Sequence, residues 1–302
     1  MNDDWLAGRF EGNRARLRAM AYRMLGSAND AEDALQEAWI HAARADAGAV
    51  ANLDGWFTTI VARVCLDMLR KRRARPEEPT GADIEPGAFA AAAPAGPAPG
   101  PEQEAVLADS VGLALLVVLD RLAPAERVAF VLHDMFGVPF GEIAGITGRS
   151  PDAARQLASR ARRRVRGEDT AATGDAASGE RLATQRTVAE AFLAASRAGD
   201  LTALLAVLDP DVVLHADPAA VPPGFPAVLE GAEAVARGAR TAAARSRRSA
   251  VALIDGVPGI VWAPRGRVVL VLAFSYREMR ISGIDIIADR GRLDALELSV
   301  PD

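Results

Sequence analysis

Arginine, glutamine and serine fall on the outward positions of one stretch, Ser150 to Arg166, in a way that suits the reading of duplex DNA. Ala154, Leu157, Ala161 and Val165 recur at helical spacing as an inward stripe. Asp152, Arg155, Gln156, Ser159 and Arg163 share the outer face, with Arg160 and Arg162 beside them. Arginine and glutamine can bond guanine and adenine bidentately at base edges in the major groove. Ser150 followed by Pro151 is a helix start, the hydroxyl capping and the proline fitting the first helical position. A short helix over Phe140–Thr147 and a turn at Gly148-Arg149 come before it. The pattern is a helix-turn-helix, whose second helix enters a major groove. The competing reading is an arginine-rich surface helix on an ordinary bundle.

Two further charge patterns stand upstream. A helix from about Asp54 to Arg73 buries Phe57, Ile60, Val61, Val64 and Met68 and projects Thr59, Arg63, Asp67 and Arg70. It ends in Arg70-Lys71-Arg72-Arg73 and then Arg75, more cations than complementing a helix dipole requires. Before it, Asn29 is placed to cap a helix, with Glu32 three residues on, and Ala31, Ala34, Leu35, Ala38 and Ala42 make the buried face. Asp30, Asp33 and Glu37, flanked by Glu32 and Gln36, line the opposite side, either as a solvated face or as a surface for a basic partner.

The elements that must position these groups follow from the rest of the chain. Its 302 residues predict about two or three domains, and a net charge of −5 with half the residues hydrophobic describes a globular chain. Cys65, the single cysteine, cannot form an internal disulfide; a buried small hydrophobe in a reducing, cytoplasmic setting is expected. The acidic start Met1-Asn2-Asp3-Asp4 does not read as a secretory leader. The apolar run Val111 to Leu119 is shorter than the ~18–20 residues that span a bilayer, so it reads as a buried helix and no membrane association is expected. Pro76 to Pro101 is a Pro/Gly/Ala-rich linker, and Gly167 to Gly179 is a second polar break. The expected domains are 5–75, a linker over 76–102, then 103–166 and 181–302.

Three segments carry a family. Arg18-Ala19-Met20-Ala21-Tyr22-Arg23-Met24-Leu25-Gly26-Ser27, Asp30-Ala31-Glu32-Asp33-Ala34-Leu35-Gln36-Glu37-Ala38-Trp39, and Trp56-Phe57-Thr58-Thr59 through Cys65-Leu66-Asp67-Met68-Leu69-Arg70 closely resemble region 2 of extracytoplasmic-function sigma factors. The helix-turn-helix, preceded by Leu122-Ala123-Pro124-Ala125-Glu126-Arg127, resembles their region 4, so that the likeness covers residues 9–166 almost completely. It implies two all-α domains in a non-catalytic subunit that directs RNA polymerase core to promoters. It assigns Asp30, Glu32, Asp33, Gln36 and Glu37 to the coiled coil of the largest polymerase subunit. Asn52, Trp56, Arg63, Asp67, Arg70 and Lys71 fall to the −10 element, held as single strand with bases out of the stack. Ser150, Arg155, Gln156, Ser159, Arg160 and Arg163 fall to the −35 duplex.

Residues 181–302 read as α+β. Helices are expected at Thr187–Arg197, Leu201–Leu208 and Gly231–Ala244, and strands at Val212–Leu214, Val268–Phe274, Ile281–Ile287 and Leu293–Leu298. This piece resembles a SnoaL-like domain, a cone-shaped curved sheet wrapped by helices. In the sigma factors that carry one it is taken to regulate the sigma domains in cis, through intramolecular contact. His215 and Asp217 alternate on one strand, and with Trp262, Tyr276 and Asp285 they form a candidate pocket. No metal-ligand spacing is present, and no cofactor and no enzymatic activity are expected. The alternative from a different class is a SnoaL-like ligand sensor or enzyme fused to a DNA-binding regulator that works independently of polymerase.

Overall fold

The computed structural model describes residues 3–45, 50–74, 112–166, 176–221, 226–242, 246, 249–264 and 267–300. The linker expected at 76–102 and most of the break expected from Gly167 lie outside these residues. Two compact units emerge.

The first unit is helical. α1 (Asp3–Leu25), α2 (Ala28–Arg44) and α3 (Leu53–Ala74) bury Leu17, Met20, Met24, Leu35 and Phe57 against one another. Phe10 fixes the packing, lying 5.3 Å from the ring of Trp39 and edge-on to Phe57 at 5.2 Å. α2 starts two residues earlier than the sequence expectation. Its cap is Ser27, not Asn29: extended backbone at Ser27 lets its hydroxyl accept from the Asp30 amide at 3.3 Å. Glu32 is thereby released from capping and pairs with Arg14 and Arg18 of α1.

α3 is buried more widely than one stripe. Besides Phe57, Val61 and Val64, the residues Ala62, Cys65, Leu66 and Leu69 are covered, while Ile60 and Met68 are only half-buried. The next elements along the chain are α4 (Leu113–Arg121), α5 (Pro124–Phe130), a π-helical turn at Val131–Met135, α6 (Phe140–Thr147) and α7 (Pro151–Arg166). α5 and α6 pack on α3, and the π-turn packs on α1. Gly148 takes φ +68° between α6 and α7, a left-handed turn open to glycine without Cβ cost, and the Ser150 hydroxyl accepts from the Ala153 amide at 3.2 Å. The inward side of α7 is Ala154, Ala158 and Ala161.

The second unit is α+β. α8 (Ala176–Ala198) begins before the expected end of the polar break, and α9 (Leu201–Val207) follows. The strands are β1 (Leu208–Ala216), β2 (Val228–Glu230), β3 (Ser249–Ile254), β4 (Val257–Trp262), β5 (Leu270–Arg277), β6 (Arg280–Ile287) and β7 (Leu298–Ser299), with α10 (Ala232–Thr241) and α11 (Arg290–Ala295) between them. They form one sheet in the order β2-β1-β6-β5-β4-β3-β7, antiparallel except for β1 beside β6.

α8, α9 and α10 cover one sheet face through Phe192, Leu204 and Val235, which meet Leu214, Phe274, Ile281 and Ile284. The other face buries Ala252, Ile254, Val261, Val271 and Leu293. Gly259 permits a close approach of β4 to its neighbours: a Cβ there would meet Leu272 O at 2.5 Å and Ile254 Cδ1 at 2.4 Å. The strand expected at Leu293–Leu298 is a correction. Asp289 caps a helix there by accepting from the Arg292 amide at 2.9 Å, and only the short β7 follows.

Candidate nucleic-acid interface

α7 exposes Arg155, Gln156, Ser159, Arg160 and Arg163 along its outer side, and the Ser150 hydroxyl serves as its cap. Arg155 is preset: its guanidinium bonds Asp152 at 2.6 Å and lies 5.5 Å from the centre of the Phe140 ring. Arg160 reaches Glu126 at 3.6 Å, and Arg162 reaches Asp134 at 2.9 Å, so these two also tie the helix to α5 and the π-turn.

On α3 the expected DNA-contacting residues do several different jobs. Asn52 precedes the helix and its Oδ1 accepts from the Gly55 amide at 3.0 Å, a capping bond. Trp56 is half-buried beside Phe57, with ring centres 5.4 Å apart. Arg70 pairs with Asp67 at 3.4 Å, and Lys71 is exposed. Arg63 is exposed but donates to Gly145 O of α6 at 3.2 Å. Within the basic cluster, Arg72 is structural: it donates to Leu25 O at 3.1 Å and to Asp30 at 2.6 Å, closing the end of α1 onto α2.

α2 accordingly divides its acidic residues. Asp30 and Glu32 are engaged by Arg72, Arg14 and Arg18. Asp33, Gln36 and Glu37 are exposed, with Ile40, 47% exposed, one turn further along the same stripe.

Arg127, on α5, escaped the sequence reading. It is 2% exposed and meets Asp120 at 3.4 Å through Nη1, while its Nε and Nη2 have no hydrogen-bond partner among the described residues. Burial lowers its pKa, and Asp120 opposes that shift. Cys65 of α3 lies within its field, and burial pushes that thiol up to about 12. A charged residue between Glu126 and a run of apolar positions was the available signal: its place in α5 falls on the inward side with Phe130 and Val131.

Of the residues expected to form a pocket in the second unit, His215, Asp217 and Asp285 lie together and Trp262 lies apart from them. The pleat sets His215 and Asp285, register partners on β1 and β6, on the face opposite Leu214, Ile284 and Ile286. His215 is exposed. Asp217 accepts from the Ala288 and Asp289 amides, each at 3.0 Å, and from Arg292, which also bonds Asp285 at 2.6 Å. Burial pushes the Asp217 carboxyl up, but those two amides and Arg292 outweigh it and hold it below the usual carboxylate range. The group fastens the end of β1 to the β6–α11 connection. Trp262 lines a separate apolar cavity on the other face, and the Tyr276 hydroxyl donates to Pro258 O at 2.7 Å. Among the described residues no cluster of His, Cys, Asp and Glu is placed to hold a metal ion, and no helix is long and apolar enough to cross a membrane.

Residues 9–75 match the model for Sigma-70 region 2, and residues 112–165 match the model for Sigma-70, region 4. The chain is 38% identical over 228 residues to the ECF RNA polymerase sigma factor SigJ of Mycobacterium tuberculosis, covering 76% of this chain and 70% of that one. It is 38% identical over 214 residues to the probable ECF RNA polymerase sigma factor SigI of the same species, covering 71% and 70%. Superposition on the crystal structure of the M. tuberculosis SigJ gives a TM-score of 0.44 at 30% identity, over 95% of this chain and 98% of that one.

Proposed function

We propose, for a chain that belongs to the extracytoplasmic-function sigma factors of the sigma-70 family, a division of labour in which α2 docks polymerase, α3 holds the −10 strand and α7 reads the −35 duplex. As a sigma factor the protein directs RNA polymerase core to promoters and initiates transcription. The observation that carries the assignment is the order of three surfaces along one chain: an exposed Asp33-Gln36-Glu37 stripe, the basic end of α3, and the arginine face of α7.

Asp33, Gln36 and Glu37, with Asp30 and Glu32 at their edge, meet basic side chains of the coiled coil on the largest polymerase subunit. Asn52, Trp56, Arg63, Asp67, Arg70 and Lys71 face the −10 bases, Trp56 offering a ring for stacking and the cations gripping phosphate. Ser150, Arg155, Gln156, Ser159, Arg160 and Arg163 face the −35 element, Arg155 and Gln156 at base edges.

The two promoter elements lie about 25 base pairs apart, roughly 85 Å at ~3.4 Å per base pair. Arg63 on α3 and Gly145 on α6 are 3.2 Å apart. One chain cannot keep that contact and occupy both elements, so α3 parts from α5 and α6 when the factor engages polymerase and promoter. The second unit is read as a SnoaL-like domain that biases this opening in cis. Its order of helices before a mostly antiparallel sheet supports that reading.

Run-off transcription with bacterial core polymerase on genomic promoter fragments tests the assignment. Full-length protein yields discrete transcripts, and Asp33→Lys with Glu37→Lys abolishes them while binding to −35 duplex persists. Undiminished transcription from the doubly reversed protein refutes the docking surface. Ending the chain after Arg166 changes transcript yield if the second unit acts in cis, and identical yield rejects that role.

A further inference from the structure

Between α8, α10 and one face of the sheet lies a cavity of about 70 Å³. One water needs about 10–15 Å³ by the same measure, so the space corresponds to roughly five waters, or about 150 Å³ of liquid. An apolar cavity of that order accepts a benzene-sized molecule.

Four features define what the cavity would take. Its walls are apolar, built from side chains such as Phe192, Leu214, Val235, Ile260, Trp262 and Ile284. No described residue lining it is ionisable, so a charged ligand would find no opposite charge among them. Small residues of α10, Gly238 and Ala239, and Ala242 just past its end, line one side where larger ones would close the space.

The fourth feature is polar. Ser196 lines the cavity from α8, is 4% exposed, and its Oγ is buried with no hydrogen-bond partner among the described residues. Buried hydroxyls are almost always paired, and an orphan costs about 1–3 kcal/mol. Several helical hydroxyls elsewhere bond back to a carbonyl four residues earlier, as Thr184 and Thr187 do at 2.9 and 3.0 Å. Ser196 does not, which leaves its Oγ available to a guest.

We propose that this cavity is a binding site for a small, uncharged, largely apolar molecule of about one ring, carrying a single hydroxyl or carbonyl that bonds Ser196 Oγ. The site lies wholly within the second unit. It is independent of the promoter assignments above, because occupancy is read by binding and not by transcription. It also differs from the His215, Asp217 and Asp285 group, which occupies the opposite face of the sheet.

Isothermal titration calorimetry of the full chain tests this, with p-cresol, toluene and benzoate as probes. p-Cresol binds saturably at one site, toluene more weakly, and benzoate not at all. Ser196→Ala weakens p-cresol by about three- to tenfold, the value of one neutral hydrogen bond, and leaves toluene unchanged. Ala239→Leu, with fold verified by circular dichroism, removes binding of both neutral probes by filling the space. Absence of saturable binding by either neutral probe overturns the proposal. So does benzoate binding as tightly as p-cresol, full binding by a folded Ala239→Leu protein, or a Ser196→Ala effect that is nil or equal for p-cresol and toluene. Should Ala239→Leu fail to fold, the Ser196→Ala contrast decides alone.

Discussion

Replacing Arg127 by methionine is the sharpest test of the idea that α3 must part from α5. The guanidinium is 2% exposed, its nearest acid is 3.4 Å away, and two of its nitrogens find no hydrogen bond among the described residues. Desolvating such a cation costs several kcal/mol, which one long contact does not recover. Exchange of imperfectly satisfied buried ions for apolar groups of similar volume is neutral or stabilising by about 1–4 kcal/mol. Methionine fills much the same space, so Arg127→Met stabilises the packed arrangement by about 1–3 kcal/mol. Opening becomes about five- to 150-fold rarer, at 1.4 kcal/mol per factor of ten. Core polymerase selects the open chain in this scheme, and its apparent affinity falls by the same factor. Cys65 gives the second readout. Packed, its thiol is fully buried and pushed up to about 12, so alkylation proceeds through open molecules. The Cys65 alkylation rate of Arg127→Met should fall with the polymerase affinity. Alkylation that is unchanged or faster in a folded variant refutes the energetics, and slowed alkylation with undiminished polymerase binding refutes the need for separation.

Two further outcomes follow from the same geometry. Arg155→Ala weakens binding to a cognate −35 duplex by about 1–3 kcal/mol in a competition shift assay; equal weakening on unrelated DNA would show phosphate contact in place of base readout. Asp217→Asn lowers stability at neutral pH by about 1–3 kcal/mol in urea unfolding, because the Ala288 and Asp289 amides and Arg292 lose their carboxylate. Since the folded carboxyl lies below its unfolded value of about 3.9, its contribution is complete above that pH and disappears as pH falls through the folded value. The gap between the two proteins therefore narrows in acid; a gap that widens contradicts the ionic role.

The helix-turn-helix was readable in the sequence because its signals are local. Gly148, Ser150 and Pro151 specify turn, cap and first turn within four residues, and the structure has Phe140–Thr147 and Pro151–Arg166 as helices. α3 was readable in extent but not in full burial, since the cover on Ala62 and Leu66 comes from helices far along the chain. β3 and β4 went unread although Asp255-Gly256, at φ 49° and 80°, is a strong hairpin signal between apolar runs. Leu293–Leu298 misled by apolar content alone, where the Asp289 cap was the better guide. In the second unit, placing His215 with Asp217 needed only strand alternation. Knowing that Trp262 faces the other side needed the order of the sheet, in which β1 and β4 are not neighbours.

α3 carries its exposed cations on a cylinder that is apolar round much of its remaining girth, with Ala62, Cys65, Leu66 and Leu69 all sheltered when the helices are packed. Prying the bundle apart wets part of that girth, and a loose, unattached molecule in that state is sticky. In the proposed opening, the surface that receives α3 has to replace the lost apolar neighbours as well as pair the cations, and a molecule that has let go of it regains that shelter only by closing on itself.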